Sequence, residues 1–206
     1  MAIASRQLGA ESGDEVLQRI NAAAPAETMS VLSSSDAPED LLQQAPLNEP
    51  AAYVQKQSSA DEALRAVYIG SDCTLLQLPF ARGEYTDVAL DIVTPDGTLM
   101  PEVASWIREL GILDVDTKSQ AKVSDSSRQR NLTVWFVTSE EADAQFPDVL
   151  TGDLATKLFN QASTLAVIES TSDQLQLRGL RRPGSIVCCK RKFDREVLGR
   201  IVDISE

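Results

Sequence analysis

Glu140, Glu141 and Asp143 stand three within four positions, two residues past the unbroken apolar run Val134–Val137 of the strand Leu132–Val137. Carboxylates so placed would hold Mg²⁺, because an open α/β sheet forms its ligand crevice at the carboxyl ends of its strands. The same residues also read as the acidic first turn of a helix, where the helix dipole favours negative charge. Thr138-Ser139-Glu140-Glu141 has the capping-box spacing, Thr first and Glu three residues later. That cap accounts for the acids without any function and is the preferred reading.

Other routes to chemistry are narrow. The chain has no histidine, which removes the commonest general base and metal ligand, and with them any Ser-His-Asp or Cys-His site within one chain. Neither GxxxxGK[ST] nor GxGxxG occurs. Cys73, Cys188 and Cys189 lack zinc spacing, and the adjacent pair in a strand would point to opposite faces. One of that pair is expected in the core and one half-exposed. A reactive thiol, its pKa lowered by Lys190 and Arg191, is the sharper alternative. No cofactor and no metal are expected, and the protein is read as non-enzymatic. The remaining enzymatic alternative is a histidine-independent enzyme with an acidic metal site near Glu140, Asp87 or Asp91 having no assignable place in it.

A basic cluster is the stronger signal. Arg178, Arg181, Arg182, Lys190, Arg191, Lys192, Arg195 and Arg200 face only Asp194 and Glu196 in their segment, although the whole chain carries a net charge of −12. Such a patch would grip phosphates, dock an acidic protein surface, the chain's own N-terminal arm included, or serve as a solvated edge whose charge blocks strand pairing. Phe193 is its one aromatic, so base stacking has little support.

The elements that must position these groups are legible in part. Leu132–Val137 reads as a central strand buried on both faces. Pro147 breaks the helix begun at Thr138. Thr151 and Asp153 start a second helix with Leu154, Ala155, Leu158, Phe159 and Ala162 on one face. Thr164–Ile168 returns as a strand, parallel to the first by a right-handed crossover. Upstream, strands are expected at Val67–Ile69, Cys73–Leu78 and Tyr85–Val93. Thr94-Pro95-Asp96-Gly97 reads as a turn. A helix runs from Pro101 to a stop at Gly111, with Val103, Trp106, Ile107 and Leu110 as its stripe. Residues 113–130 read as a surface loop. Downstream, strands are expected at Gln174–Arg178, Ser185–Lys190 and Glu196–Ile204, with a turn at Pro183-Gly184.

Residues 1–60 differ in composition. Met1–Leu64 holds ten acidic and three basic residues with few large apolar ones, too little to bury a core unaided. Short helices are plausible around Val16, Leu17 and Ile20 and around Leu41 and Leu42, and helices this short need a surface to lie on. The expected architecture is therefore an extended, largely irregular acidic arm over 1–60. A single mixed α/β domain follows over 61–206, with a mixed sheet and at least two packed helices.

The acidic balance argues against general binding to nucleic acid or anionic membranes, and no stretch of about twenty apolar residues exists to span a bilayer. Met1–Ala10 lacks a basic region followed by an apolar run, so the chain reads as non-secreted, cytoplasmic or within an intracellular or viral particle. The Asn131-Leu132-Thr133 sequon enters a strand and is read as inert. The leading functional expectation is a structural or adaptor subunit of a larger intracellular or viral assembly. It would attach through its arm to other protein subunits or copies of itself, with no membrane partner. The alternative is a nucleic-acid-associated protein that contacts phosphates through residues 178–200.

Overall fold

The structure, a computed structural model, describes residues 85–123, 130–143 and 148–205. It also describes residue 19 and the short strands 2–5, 7–8, 11–12, 30–34 and 52–55. The chain divides into two units, Met1–Leu75 with Pro183–Cys189, and Leu76–Arg182 with Lys190–Glu206.

In the first unit β1 (Ala2–Ser5) pairs in parallel with β4 (Ser30–Ser34), and β4 pairs in parallel with β5 (Ala52–Gln55). Two short strands, β2 (Gln7–Leu8) and β3 (Glu11–Ser12), form an antiparallel pair. Ala52–Val54 of β5 pairs antiparallel with Ser185–Val187. The expected helices around Val16, Leu17 and Ile20 and around Leu41 and Leu42, and the expected strands between Val67 and Leu78, lie outside the described residues, as does Cys73.

The second unit is a mixed α/β fold. Its strands are β6 (Ala89–Thr94), β7 (Asp114–Ser119), β8 (Arg130–Thr138), β9 (Ala162–Ser170), β10 (Leu175–Arg182) and the last residues, Lys190 to Lys192, of β11 (Ser185–Lys192), whose earlier part belongs to the first unit. Their order is β11-β10-β9-β8-β6-β7. The block β7-β6-β8-β9 is parallel, and β10 runs antiparallel to β9. Helix α1 (Pro101–Glu109) links β6 to β7. Three short helices, α2 (Ser139–Asp143), α3 (Asp148–Thr151) and α4 (Asp153–Phe159), link β8 to β9, and α5 (Arg195–Ser205) ends the unit.

The two crossovers step in opposite directions, β6 to β7 one way and β8 to β9 the other. Right-handed crossovers therefore place α1 and α2–α4 on opposite faces. The packing agrees. Register partners share a face, and Ile92, Val134, Ala166 and Leu180 form one row while Asp91, Thr133, Leu165 and Arg181 form the next row on the other face. The first face carries α1 and α5. There Phe193 sits edge-on between Phe136 of β8 and Trp106 of α1, with ring centroids 6.1 and 5.9 Å away. The second face carries α2–α4, reached by Arg178 and Arg181 from β10.

Helix α1 is made as its punctuation predicts. Pro101 opens it, and Gly111, at φ 73°, closes it in the left-handed region. The Gly111 N–H donates to Arg108 O at 3.1 Å and the Ile112 N–H to Ile107 O at 3.2 Å, a Schellman pair. In the β6–α1 turn Gly97 has φ 83°, and a Cβ there would stand 3.2 Å from the Ser119 nitrogen. Only glycine meets both demands without strain.

Three sequence expectations are corrected. Residues 113–130 are not one loop, since Asp114–Ser119 forms edge strand β7. Its charges sit on one face, where Arg130 and Asp91 pair with them, so a polar composition hid a strand. Residues 196–204 are not a strand but most of α5. Val197, Leu198, Ile201 and Val202 are buried at helical spacing, and the Asp194 Oδ1 caps the helix by accepting from the Val197 N–H at 3.1 Å. Finally, Gly152, not Thr151, precedes α4 as its cap residue, and Ala162 lies in β9 rather than on that helix.

Candidate functional site

Parallel strands β6 and β8 are neighbours whose following helices leave to opposite faces. The sheet therefore has a topological switch point between their carboxyl ends, the place where open α/β sheets bind ligands. A cleft of about 370 Å³ opens there. Its lining is dictated by strand alternation. Thr94 ends β6, Phe136 and Thr138 end β8, and Ser170 ends β9, all on the α1 side of the sheet. The β6–α1 turn closes the other wall with Asp96, Thr98 and Met100.

The cleft has an apolar floor and a polar rim. Phe136 is buried in the floor, and hydroxyls from Thr98, Thr138 and Ser170 edge it. Asp96 is the one ionisable side chain among its described lining residues. The Asp96 Oδ1 accepts from the Thr98 N–H at 2.8 Å and from the Thr94 hydroxyl at 3.4 Å. The Thr98 amide hydrogen bond, opposed by slight desolvation, holds this carboxyl below its ordinary value. Asp96 is thus an oriented anion on an exposed rim.

The acids singled out in the sequence do other work. Glu141 completes the capping box. Its Oε2 accepts from the Thr138 N–H at 2.8 Å, and its own N–H donates to the Thr138 hydroxyl at 3.3 Å. Such a cap stabilises by about 1 kcal/mol. The Gln120 amide donates to the other oxygen of Glu141 at 3.1 Å, tying the segment after β7 to α2. Glu140 is exposed, and the Asp143 side chain lies outside the description. Among the described residues no three His, Cys, Asp or Glu side chains converge as metal ligands. Asp87 is exposed, whereas Asp91 is buried in an ion-pair network on the opposite face of the sheet from the cleft.

That network joins β6, β7 and β8. The Arg130 Nε stands 2.7 Å from Asp91 Oδ1, an ion pair of poor hydrogen-bond angle, and its Nη1 reaches Asp114 Oδ1 at 3.0 Å. The Arg130 Nη2 donates to Leu90 O at 2.9 Å. Lys118 reaches Asp91 at 2.8 Å and Asp116 at 3.2 Å. Desolvation lowers the Lys118 pKa, but the hydrogen bonds and charges of Asp91 and Asp116 outweigh it and leave the value raised. The sequon asparagine is also used in the fold, since Asn131 Oδ1 accepts from the Ala89 N–H at 2.9 Å.

The basic segment is divided rather than gathered. Arg178 pairs with Glu169 at 3.0 Å and donates to Ala142 O at 3.3 Å. Arg181 is 5 % exposed, donates to Leu150 O at 3.3 Å and to the Thr156 hydroxyl at 3.2 Å, and lies 4.4 Å from the Phe159 ring centroid. Burial lowers its pKa, and a guanidinium still keeps its charge there. Both arginines fasten the α2–α4 excursion to the sheet instead of facing solvent. Arg195 meets Glu109 at 3.5 Å with both side chains well exposed, a pair of little energetic weight. Lys192 is exposed, and Arg182, Arg191 and Arg200 are half-buried. Lys190, Cys188 and Cys189 lie in β11, and their side chains fall outside the description. Phe193 is 2 % exposed and belongs to the core.

Sequence reasoning missed the cleft as a unit. It found the β8 end and the Thr94–Gly97 turn separately. What joins them is that β6 and β8 are neighbours, a fact of pairing with no local sequence signal. No helix among the described residues is long and apolar enough to cross a membrane. Compared with known proteins, the chain matches no family model, no curated protein and no solved structure.

Proposed function

We propose that the α/β unit is a binding module whose small-molecule ligand occupies the cleft at the β6/β8 switch point. The observation that carries this reading is the coincidence of that cleft with the carboxyl ends of β6, β8 and β9. Its composition supports the same reading, an apolar floor for affinity and a few fixed polar groups for orientation. The buried charges Asp91, Arg130 and Glu169 are engaged in ion pairs within the fold, which supports a structural rather than a chemical role for them. The test is an amide-resolved NMR titration of the full chain against a library of small polar aromatic compounds. Binders should shift Thr94–Met100, Thr138 and Ser170 together, and Ser170→Phe, which fills the cleft mouth, should abolish the shifts while the melting temperature holds. A library that moves none of these residues overturns the reading.

A second reading, a structural or adaptor subunit that attaches through its N-terminal segment, is favoured by the pairing of Ala52–Val54 with Ser185–Val187. A strand of the N-terminal segment there joins a strand edge through backbone bonds, the mode by which it would also join a neighbouring subunit. Light scattering on the full chain and on a version lacking residues 1–50 tests it. The full chain should form a larger species, alone or with its native companions, that the shortened chain does not. Equal assembly by both removes the reading.

A further inference from the structure

Resting on the cleft reading above, we infer that the switch-point cleft selects a small organic cation, an ammonium group on an apolar or aromatic body, with Asp96 as its counter-ion. The argument begins with charge. No lysine or arginine stands among the described residues that line the cleft, so a phosphate or carboxylate ligand would meet no compensating cation among them. It would meet Asp96 instead, with Glu140 and Glu141 just beyond the end of β8. The start of α1 offers backbone N–H groups, yet Glu102 already supplies negative charge in that first turn.

Geometry narrows the class further. Asp96 is not free to swing away, because Thr98 and Thr94 hold its Oδ1 and leave Oδ2 outside both hydrogen bonds. An ammonium group carries three donors and no acceptor, which suits a site offering one carboxylate oxygen and the oxygen lone pairs of Ser170 and Thr98. The floor beneath, Phe136 with Met100 at its side, takes the apolar body. A volume of about 370 Å³ admits a one- or two-ring ligand. The Thr98 amide keeps the carboxylate ionised below the ordinary value near 3.8, so the preference for a cation holds across the neutral and mildly acidic range.

Three compounds that share a phenol ring and differ in charge test this on the full chain: tyramine, tyrosol and 4-hydroxyphenylacetate. Tyramine should bind best and 4-hydroxyphenylacetate worst, with shifts at Thr94–Met100 and Ser170. Asp96→Asn keeps an Oδ1 acceptor for the Thr98 amide and removes only the charge. It should weaken tyramine about tenfold and leave tyrosol unchanged. An Asn variant that retains the full tyramine preference overturns the inference. If the cleft residues shift but the anion binds as well as the cation, the ligand class is wrong and the cleft reading stands. If none of the three moves the cleft residues in either protein, the inference fails, and the library titration then decides the cleft itself.

Discussion

Arg130→Met should destabilise the α/β unit by about 3 kcal/mol, the larger of the effects expected from its polar groups. Arg130 is 5 % exposed and Asp91 3 %, and the pair is held at 2.7 Å inside the β6–β7–β8 layer. Removing the guanidinium strands a buried carboxylate and leaves the Leu90 carbonyl without its side-chain donor. Lys118 stays beside Asp91 at 2.8 Å, which sets the loss near the lower end for a broken buried pair. Both of the chain's tryptophans, Trp106 and Trp135, lie in this unit, so urea unfolding followed by tryptophan fluorescence reports on it selectively.

The double variant Asp91→Leu with Arg130→Met should lose less than Arg130→Met alone, because no uncompensated charge then remains. A double variant as weak as the sum of its single changes would show that the pair does not act as a unit. Alkaline pH probes the same network. Lys118 has its folded pKa raised above 10.5, so its contribution is fully present below that value and fades as pH climbs through the folded one. Lys118→Met should flatten that alkaline decline.

Phe193→Ala should cost about 3–5 kcal/mol, the usual range for an emptied aromatic site in a core. Phe193 is 2 % exposed and bridges Phe136 in the sheet and Trp106 in α1. Its backbone N–H also donates to Leu175 O at 2.8 Å, which anchors the entry to α5. Alanine opens a cavity where three elements meet, whereas Phe193→Leu keeps most of the volume and should cost under about 1.5 kcal/mol. Urea midpoints for the two variants check the ordering, and near-ultraviolet dichroism should lose the Trp106 signal in the alanine variant alone. A Phe193→Ala protein as stable as the parent would mean that α5 is not docked through this ring.

The two variants show what local sequence can and cannot carry. Phe193 sits among arginines and lysines, and its sequence neighbours say surface. Its burial follows from contacts distant in sequence, its N–H on Leu175 O and its ring between Phe136 and Trp106, which hold residue 193 over the sheet beside α1. Arg130 likewise ends a polar stretch, and only the pairing of β6 with β7 and β8 brings Asp91 and Asp114 to it. The same neighbour relations split the basic cluster. Arg178 and Arg181 turn inward because the face they share with Asp91 and Thr133 is the one covered by α2–α4.

The periodic and punctuated parts were readable. The run Leu132–Val137 announced a strand buried on both faces, Thr138 and Glu141 announced the capping box, and Pro101 and Gly111 bracketed α1. These features involve residues within one turn or one strand of each other, so backbone preference and apolar spacing determine them. By itself, then, the sequence determined the mixed α/β class, the β8–helix–β9 crossover and the position of the β6–α1 turn. The tertiary structure alone decided that Asp114–Ser119 is an edge strand, that residues 195–205 form a helix and that a cleft exists. Edge strands, docked helices and clefts depend on which distant segments become neighbours. The free energy that selects those neighbours is burial summed over both partners, which neither segment carries alone.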